Sequence, residues 1–203
     1  MIFDFAQIGP TNAYKIMTST IVPRPIAWVV TLNAQGQPNC APFSFFNAMQ
    51  GDPPLVCLGI ASRPEGQKDT LRNIRETEEL VIHCVSFRHS KEMNATSADY
   101  PPEVDEIAKV GLASLPSVRV APPRLSDVPV AFECRLQQLI EVGQQRAIVI
   151  AEILLAHIHD DYVLDPQRCH INTPALDLIG RMHGRSGYCR TDQLFDIERP
   201  VLS

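Results

Sequence analysis

Between Arg24 and Thr70 the chain carries Arg24-Pro25-Ile26-Ala27-Trp28-Val29-Val30-Thr31, then Asn39-Cys40-Ala41-Pro42-Phe43-Ser44-Phe45-Phe46-Asn47, then Ser62-Arg63 and Lys68-Asp69-Thr70. Ile26 to Leu32 is rich in β-branched and aromatic residues and reads as a strand. Asn33-Ala34-Gln35-Gly36-Gln37 reads as a turn, with Gly36 free to take a positive φ. A second strand is expected over roughly Asn39 to Ala48, making a hairpin with the first. Ala41 to Asn47 is nevertheless an odd alternating strand, with three phenylalanines and with Ser44 and Asn47 as polar points. Asp52-Pro53-Pro54 breaks the chain, because neither proline can donate to a ladder. Leu55 to Ala61 is then a buried strand, Arg63 to Gln67 a loop, and Asp69 to Glu79 a helix.

Upstream, Thr11 to Met17 reads as a short helix with Thr11 as its N-cap. Downstream, Leu80 to Ser86 is a further strand, interrupted by His83. Residues 88–112 look helical but broken at Tyr100-Pro101-Pro102, with Glu103 to Val110 resuming. Pro116, Pro122, Pro123 and Pro129 make an extended connection. Val130 to Val142 and Gln145 to His159 flank Gly143 as a second hairpin. Asp160 to Ile171 is turn-rich, Thr173 to Leu178 forms one helical turn, Gly180 to Tyr188 is a glycine-rich loop, and Leu194 to Pro200 is extended. Many short strands and few helices point to a closed or sandwiched antiparallel sheet. Helices that do not alternate regularly with strands weigh against a doubly wound parallel sheet.

The 203 residues suffice for one sizeable core and are read as one domain, 1–203. A net charge of −5 implies no broad basic surface, so no nucleic-acid partner is expected. The most apolar run, Ala147 to Ile158, is short and carries Glu152, so no membrane span is expected. Met1-Ile2-Phe3-Asp4 lacks the basic start and apolar run of an export signal, and a cytoplasmic location follows by default. The six cysteines are scattered without a Cys-x-x-Cys pair, which favours free thiols.

Ser62, Arg63, Lys68, Asp69 and Thr70 lie around a strand–loop–helix junction. A helix start presents free N–H groups and positive partial charge, Arg63 adds a bidentate contact and Lys68 a point charge, which suits a phosphate. A solvated helix start capped by Asp69 or Thr70 is the competing reading. Ala41 to Phe45 offers backbone groups and small polar side chains to the edge of a flat ring, with apolar cover. Singly, Phe45 and Phe46 read as core. Asn94-Ala95-Thr96 could reach the same ligand or serve as an ordinary cap, and Arg181 could neutralise a phosphate or ring, or form a surface ion pair. His157, His159, His170 and His183 match no zinc spacing and read as surface residues, so no metal is expected. Neither Gly-x-Gly-x-x-Gly nor Gly-x-Ser-x-Gly occurs. A flat ring with a phosphate tail fits this set, and flavin mononucleotide (FMN) is such a molecule.

In order, Val22-Pro23-Arg24-Pro25-Ile26-Ala27-Trp28-Val29, Asn39 to Asn47, Asp52-Pro53-Pro54, Lys68-Asp69-Thr70-x-x-Asn73-Ile74 and the closing Gly180-Arg181-Met182 with Gly187-Tyr188 resemble the flavin reductase-like family of FMN-binding split-barrel proteins. The resemblance covers roughly Tyr14 to Pro200. It implies a mainly β, Greek-key split β-barrel with a few peripheral helices, and a homodimer with FMN near the subunit interface. It implies that Ala41, Pro42, Phe43, Ser44 and Phe45 line the ring, that Ser62, Arg63, Lys68, Asp69 and Thr70 surround the phosphate, and that Asn94, Ala95 and Arg181 border the same cofactor. It implies hydride transfer from NADH or NADPH to the flavin N5, with no catalytic side chain required, for the benefit of a partner monooxygenase or other acceptor. A flavoredoxin-like electron carrier without NAD(P)H turnover is the alternative. His83 stands where many relatives carry asparagine, and Cys40 where an apolar residue is expected.

Overall fold

A computed structural model describes residues 1–63, 66–143 and 145–201. Seven strands make the main sheet: β1 (Ala27–Leu32), β2 (Pro38–Phe43), β3 (Phe46–Gly51), β4 (Pro54–Ile60), β5 (Glu79–Cys84), β6 (Val130–Glu141) and β7 (Ala147–Ile158). Their spatial order is β2-β1-β5-β6-β7-β4-β3, and every neighbouring pair is antiparallel. The two edge strands, β2 and β3, are consecutive in the chain and joined only by Ser44 and Phe45. Three peptide steps reach about 11 Å, whereas the edges of a flat seven-stranded sheet would lie about 29 Å apart. The sheet must therefore curl until its edges meet, which makes a barrel. The Gly59 N–H seals the corner by donating to the Phe45 carbonyl at 2.7 Å.

This corner corrects the expected single strand from Asn39 to Ala48. The chain pairs with β1 up to Phe43, and from Phe46 it pairs with β4 instead. The crowding of Phe43, Phe45 and Phe46 marks that change of partner. The hairpin of β6 and β7 is as expected, and its long registers form the back of the barrel.

Inside, Val29, Leu58, Ile82 and Val149 pack with Leu71 and Ile74 of helix α2 (Asp69–Thr77), all six wholly buried. Each such side chain stabilises the fold by about 2 kcal/mol. Outside β1 and β5, a second cluster contains Trp28, Val30, Val81, Met93, Ile107 and Leu125. Helices α3 (Ser90–Ala95) and α4 (Glu106–Lys109) and the proline-rich strap 114–125 cover it. That double burial explains why β1 is almost continuously apolar.

The first helix, α1 (Gly9–Thr20), starts earlier than Thr11 because Pro10 is pre-set for a first helical turn. Its end is held by Arg24, which is 7% exposed and donates to the carbonyls of Thr18 and Ile21, both at 2.9 Å, and of Met182 at 3.1 Å. Gly180 to Tyr188 is less of a loop than expected, since Ile179–Arg181 pairs with Tyr188–Arg190 and with Arg24–Pro25. Arg63 and Gly66 exchange two backbone hydrogen bonds, at 2.9 and 3.0 Å. Pro64 and Glu65 of the expected Arg63–Gln67 loop lie outside the described residues. No helix among the described residues is long and apolar enough to cross a membrane.

Candidate functional site

A groove runs along one side of the barrel from the start of α2 to the corner at Ser44. Its first end is a cavity of about 150 Å³ bordered by Asn39, Ala41, Pro42, Arg63, Lys68, Asp69, Thr70 and Glu106. Its second end is a cavity of about 190 Å³ bordered by Pro42, Phe43, Ser44, Asn94, Arg181 and Tyr188. Pro42 and Ser97 border both cavities.

The first end is built around an uncapped helix. Lys68 occupies the N-cap position of α2, and no side chain among the described residues closes that terminus. The N–H groups of Leu71 and Arg72 turn to the Lys68 carbonyl at 3.1 and 3.2 Å. Those of Asp69 and Thr70 have no acceptor among the described residues. Asp69 does not cap the helix because two arginines claim its carboxylate, Arg63 at 2.7 Å and Arg72 at 2.5 Å. The Arg63 guanidinium, 18% exposed, is thereby fixed at the groove rim, and Asp99 lies 3.8 Å from it. Lys68 has no ion-pair partner among the described residues. Glu106 accepts the Cys40 N–H at 2.9 Å. Burial pushes the Glu106 carboxyl above its ordinary pKa, against the opposing effect of that hydrogen bond.

The second end has walls of both kinds. Ile26, Phe43 and Met93 supply apolar walls, and Ser44, Asn94 and Ser97 the polar points. Arg181 reaches this end but spends its hydrogens on the carbonyls of Gly187, Gly184 and Arg185, at 2.8, 3.1 and 2.6 Å, and lies 4.7 Å from the Tyr188 ring centre. It therefore organises its own loop and lends the second end its charge.

Ten of the thirteen expected site residues border the groove: Ala41, Pro42, Phe43, Ser44, Arg63, Lys68, Asp69, Thr70, Asn94 and Arg181. Ser62 does not, and its hydroxyl accepts from Arg146 at 3.1 Å. Ala95 borders neither cavity. Phe45 turns to the opposite side, onto Tyr14 with ring centres 6.1 Å apart. There it lines an apolar cavity of about 380 Å³ with Met17, Ile21, Met49, Cys57 and Ile148. Asn39, Ser97, Glu106 and Tyr188 border the groove without having been expected as site residues. Asn39 and Tyr188 lie in stretches that carry the resemblance and Ser97 follows Asn94-Ala95-Thr96, but nothing local flags Glu106.

The sequence model for the flavin reductase like domain matches residues 17–183. Among solved structures, the 2-nitrobenzoate 2-nitroreductase NbaA of Pseudomonas fluorescens is 32% identical, with a TM-score of 0.90 over 98% of this chain and 96% of that one. Nitrilotriacetate monooxygenase component B of Bacillus cereus is 26% identical, with a TM-score of 0.91 over 97% and 98% of the two chains. A Shewanella frigidimarina protein with a split barrel domain shares the fold at 20% identity, with a TM-score of 0.82 over 96% of each chain.

Proposed function

The chain belongs to the flavin reductase like family, and from that premise we propose that it is an NAD(P)H-dependent oxidoreductase that holds FMN along the groove. The observation that carries this reading is the start of α2, where two N–H groups without an acceptor among the described residues, Lys68 without an ion-pair partner among them, and the fixed Arg63 converge at one end of the groove. A phosphomonoester satisfies those donors, and the polar points at Ser44 and Asn94 suit the edge of a ring. When bound, FMN supplies the redox chemistry, taking up hydride from NADH or NADPH.

The side chains have simpler tasks. Lys68 and Arg63 neutralise the phosphate, and Ile26, Phe43 and Met93 exclude water from the ring. Arg181 offsets negative charge gained at the ring end. The flavin or its electrons pass to a partner, a role in keeping with the monooxygenase component among the similar structures. Two copies of this chain associate in the cytoplasm through the apolar surface around Phe45, where Ile21, Met49 and Ile148 are 59%, 55% and 36% exposed.

Anaerobic stopped-flow with FMN-loaded protein tests the activity. Bleaching of the flavin band by NADH or NADPH at a catalytic rate is expected. Reduction only by a protein donor would reassign the chain as an electron carrier. Arg63→Ala with Lys68→Ala should weaken FMN more than riboflavin, by about tenfold or more, in equilibrium titrations of flavin fluorescence. Equal losses for both ligands would remove the phosphate from this end.

A further inference from the structure

Thr70 is 1% exposed and lies in the first turn of α2, at the phosphate end of the groove. Its surroundings distinguish it from three of the four other helical threonines, the fourth, Thr11, being exposed in the first turn of α1. Thr18, Thr20 and Thr77 each donate their hydroxyl proton to the carbonyl four residues back, at 2.9, 2.8 and 2.9 Å. Thr70 makes no such bond. Instead its oxygen accepts a hydrogen from the Asn39 amide, Nδ2 to Oγ1, at 2.9 Å. A hydroxyl has one proton and two lone pairs. With a lone pair engaged from the Asn39 side, the proton is directed elsewhere, and no protein acceptor among the described residues takes it.

The donor is itself well placed. Asn39 stands on β2 opposite Thr31 of β1, and Thr31 accepts from Asn73 of α2 at 3.1 Å. Two amide-to-hydroxyl bonds thus run between α2 and the β1–β2 hairpin, fixing the rotation of the helix about its first turn. Asn39 also borders the cavity into which the Thr70 proton is free to point.

We infer that Asn39 is a positioning residue, whose hydrogen bond to Thr70 aims the Thr70 hydroxyl proton at the flavin phosphate and thereby sets the preference for FMN over riboflavin. This rests on the phosphate reading of the groove given above. Asn39 borders the first cavity and not the second, so riboflavin, which lacks the phosphate, should be indifferent to it.

The test measures FMN and riboflavin dissociation constants by flavin fluorescence for the full chain and for Asn39→Ala, Thr70→Val, their double variant, Thr70→Ser and Lys68→Ala. Asn39→Ala should lower the FMN-to-riboflavin affinity ratio about tenfold, as should Thr70→Val. The double variant should lose little more than either alone, and Thr70→Ser should keep the ratio. Equal weakening of both ligands in Asn39→Ala, or additive losses in the double variant, overturns the inference and leaves Asn39 a packing residue. If Lys68→Ala and Thr70→Val lower the ratio and Asn39→Ala does not, the inference fails while the phosphate site stands. If none of the three moves the ratio, the phosphate site itself fails. Should Asn39→Ala not fold by circular dichroism, Asn39→Ser, too short to bridge to Thr70, takes its place under the same criteria.

Discussion

His83 has no exposed surface. Its Nε2 accepts the Leu125 N–H at 2.8 Å, so that nitrogen carries no proton. The proton sits on Nδ1, which donates to the Trp28 carbonyl at 3.0 Å. One neutral tautomer is thus locked between β1 and the strap. Burial lowers its pKa from 6.5 to about 4. Between those values the unfolded chain binds the proton and the folded chain resists it, so acidification from pH 6.5 destabilises the fold. The loss approaches about 3 kcal/mol near pH 4. Burial also lowers the pKa of His89, in the same direction. Comparing urea melts of the wild type and His83→Gln at pH 7 and pH 5 isolates the His83 share, and the variant should show the shallower pH dependence. The sequence flagged His83 as an intrusion in a strand, and the structure makes it a tether.

At the scale of elements, the strap illustrates what was legible and what was not. Its prolines announced an extended connection. Its attachments could not be read, because they join side chains to backbone groups 14 to 42 residues away and leave no periodic trace. Glu133, fully buried on β6, accepts the N–H groups of Val118 and Arg119 at 2.8 and 2.5 Å and pairs with His157 at 2.6 Å. Burial alone would raise its pKa, but these bonds prevail and hold it below the ordinary value. Glu79 takes the Ala121 N–H at 2.7 Å. Glu133→Ala should therefore cost about 3 kcal/mol in denaturant unfolding and speed amide exchange at Val118 and Arg119, with Glu133→Gln intermediate. By contrast, β1, β4, β5, the β6–β7 hairpin and the start of α2 were readable from composition and local spacing. Asn39 was not, since its role depends on a partner 31 residues away.

At the scale of the whole molecule, the apolar surface around Phe45 carries the proposed self-association. Ile148→Lys puts a charge into its centre and should turn a dimer into a monomer in sedimentation velocity while leaving the barrel folded. A closed or sandwiched antiparallel sheet was legible because short strand-forming segments outnumber helical ones, and the Greek-key order came from the resemblance; the place of closure was not legible, because the odd run of phenylalanines from Phe43 to Phe46 does not say that the chain changes partner there. That closure has a consequence for chain order. Ser44 and Phe45 act as the clasp of a hoop, and a clasp so short leaves no slack. A circular permutant opened within Asn33 to Gln37, with its original ends linked, should still fold to a cooperative thermal transition. One opened between Ser44 and Phe45 should not, because its two rims would have lost the covalent stitch that holds them together.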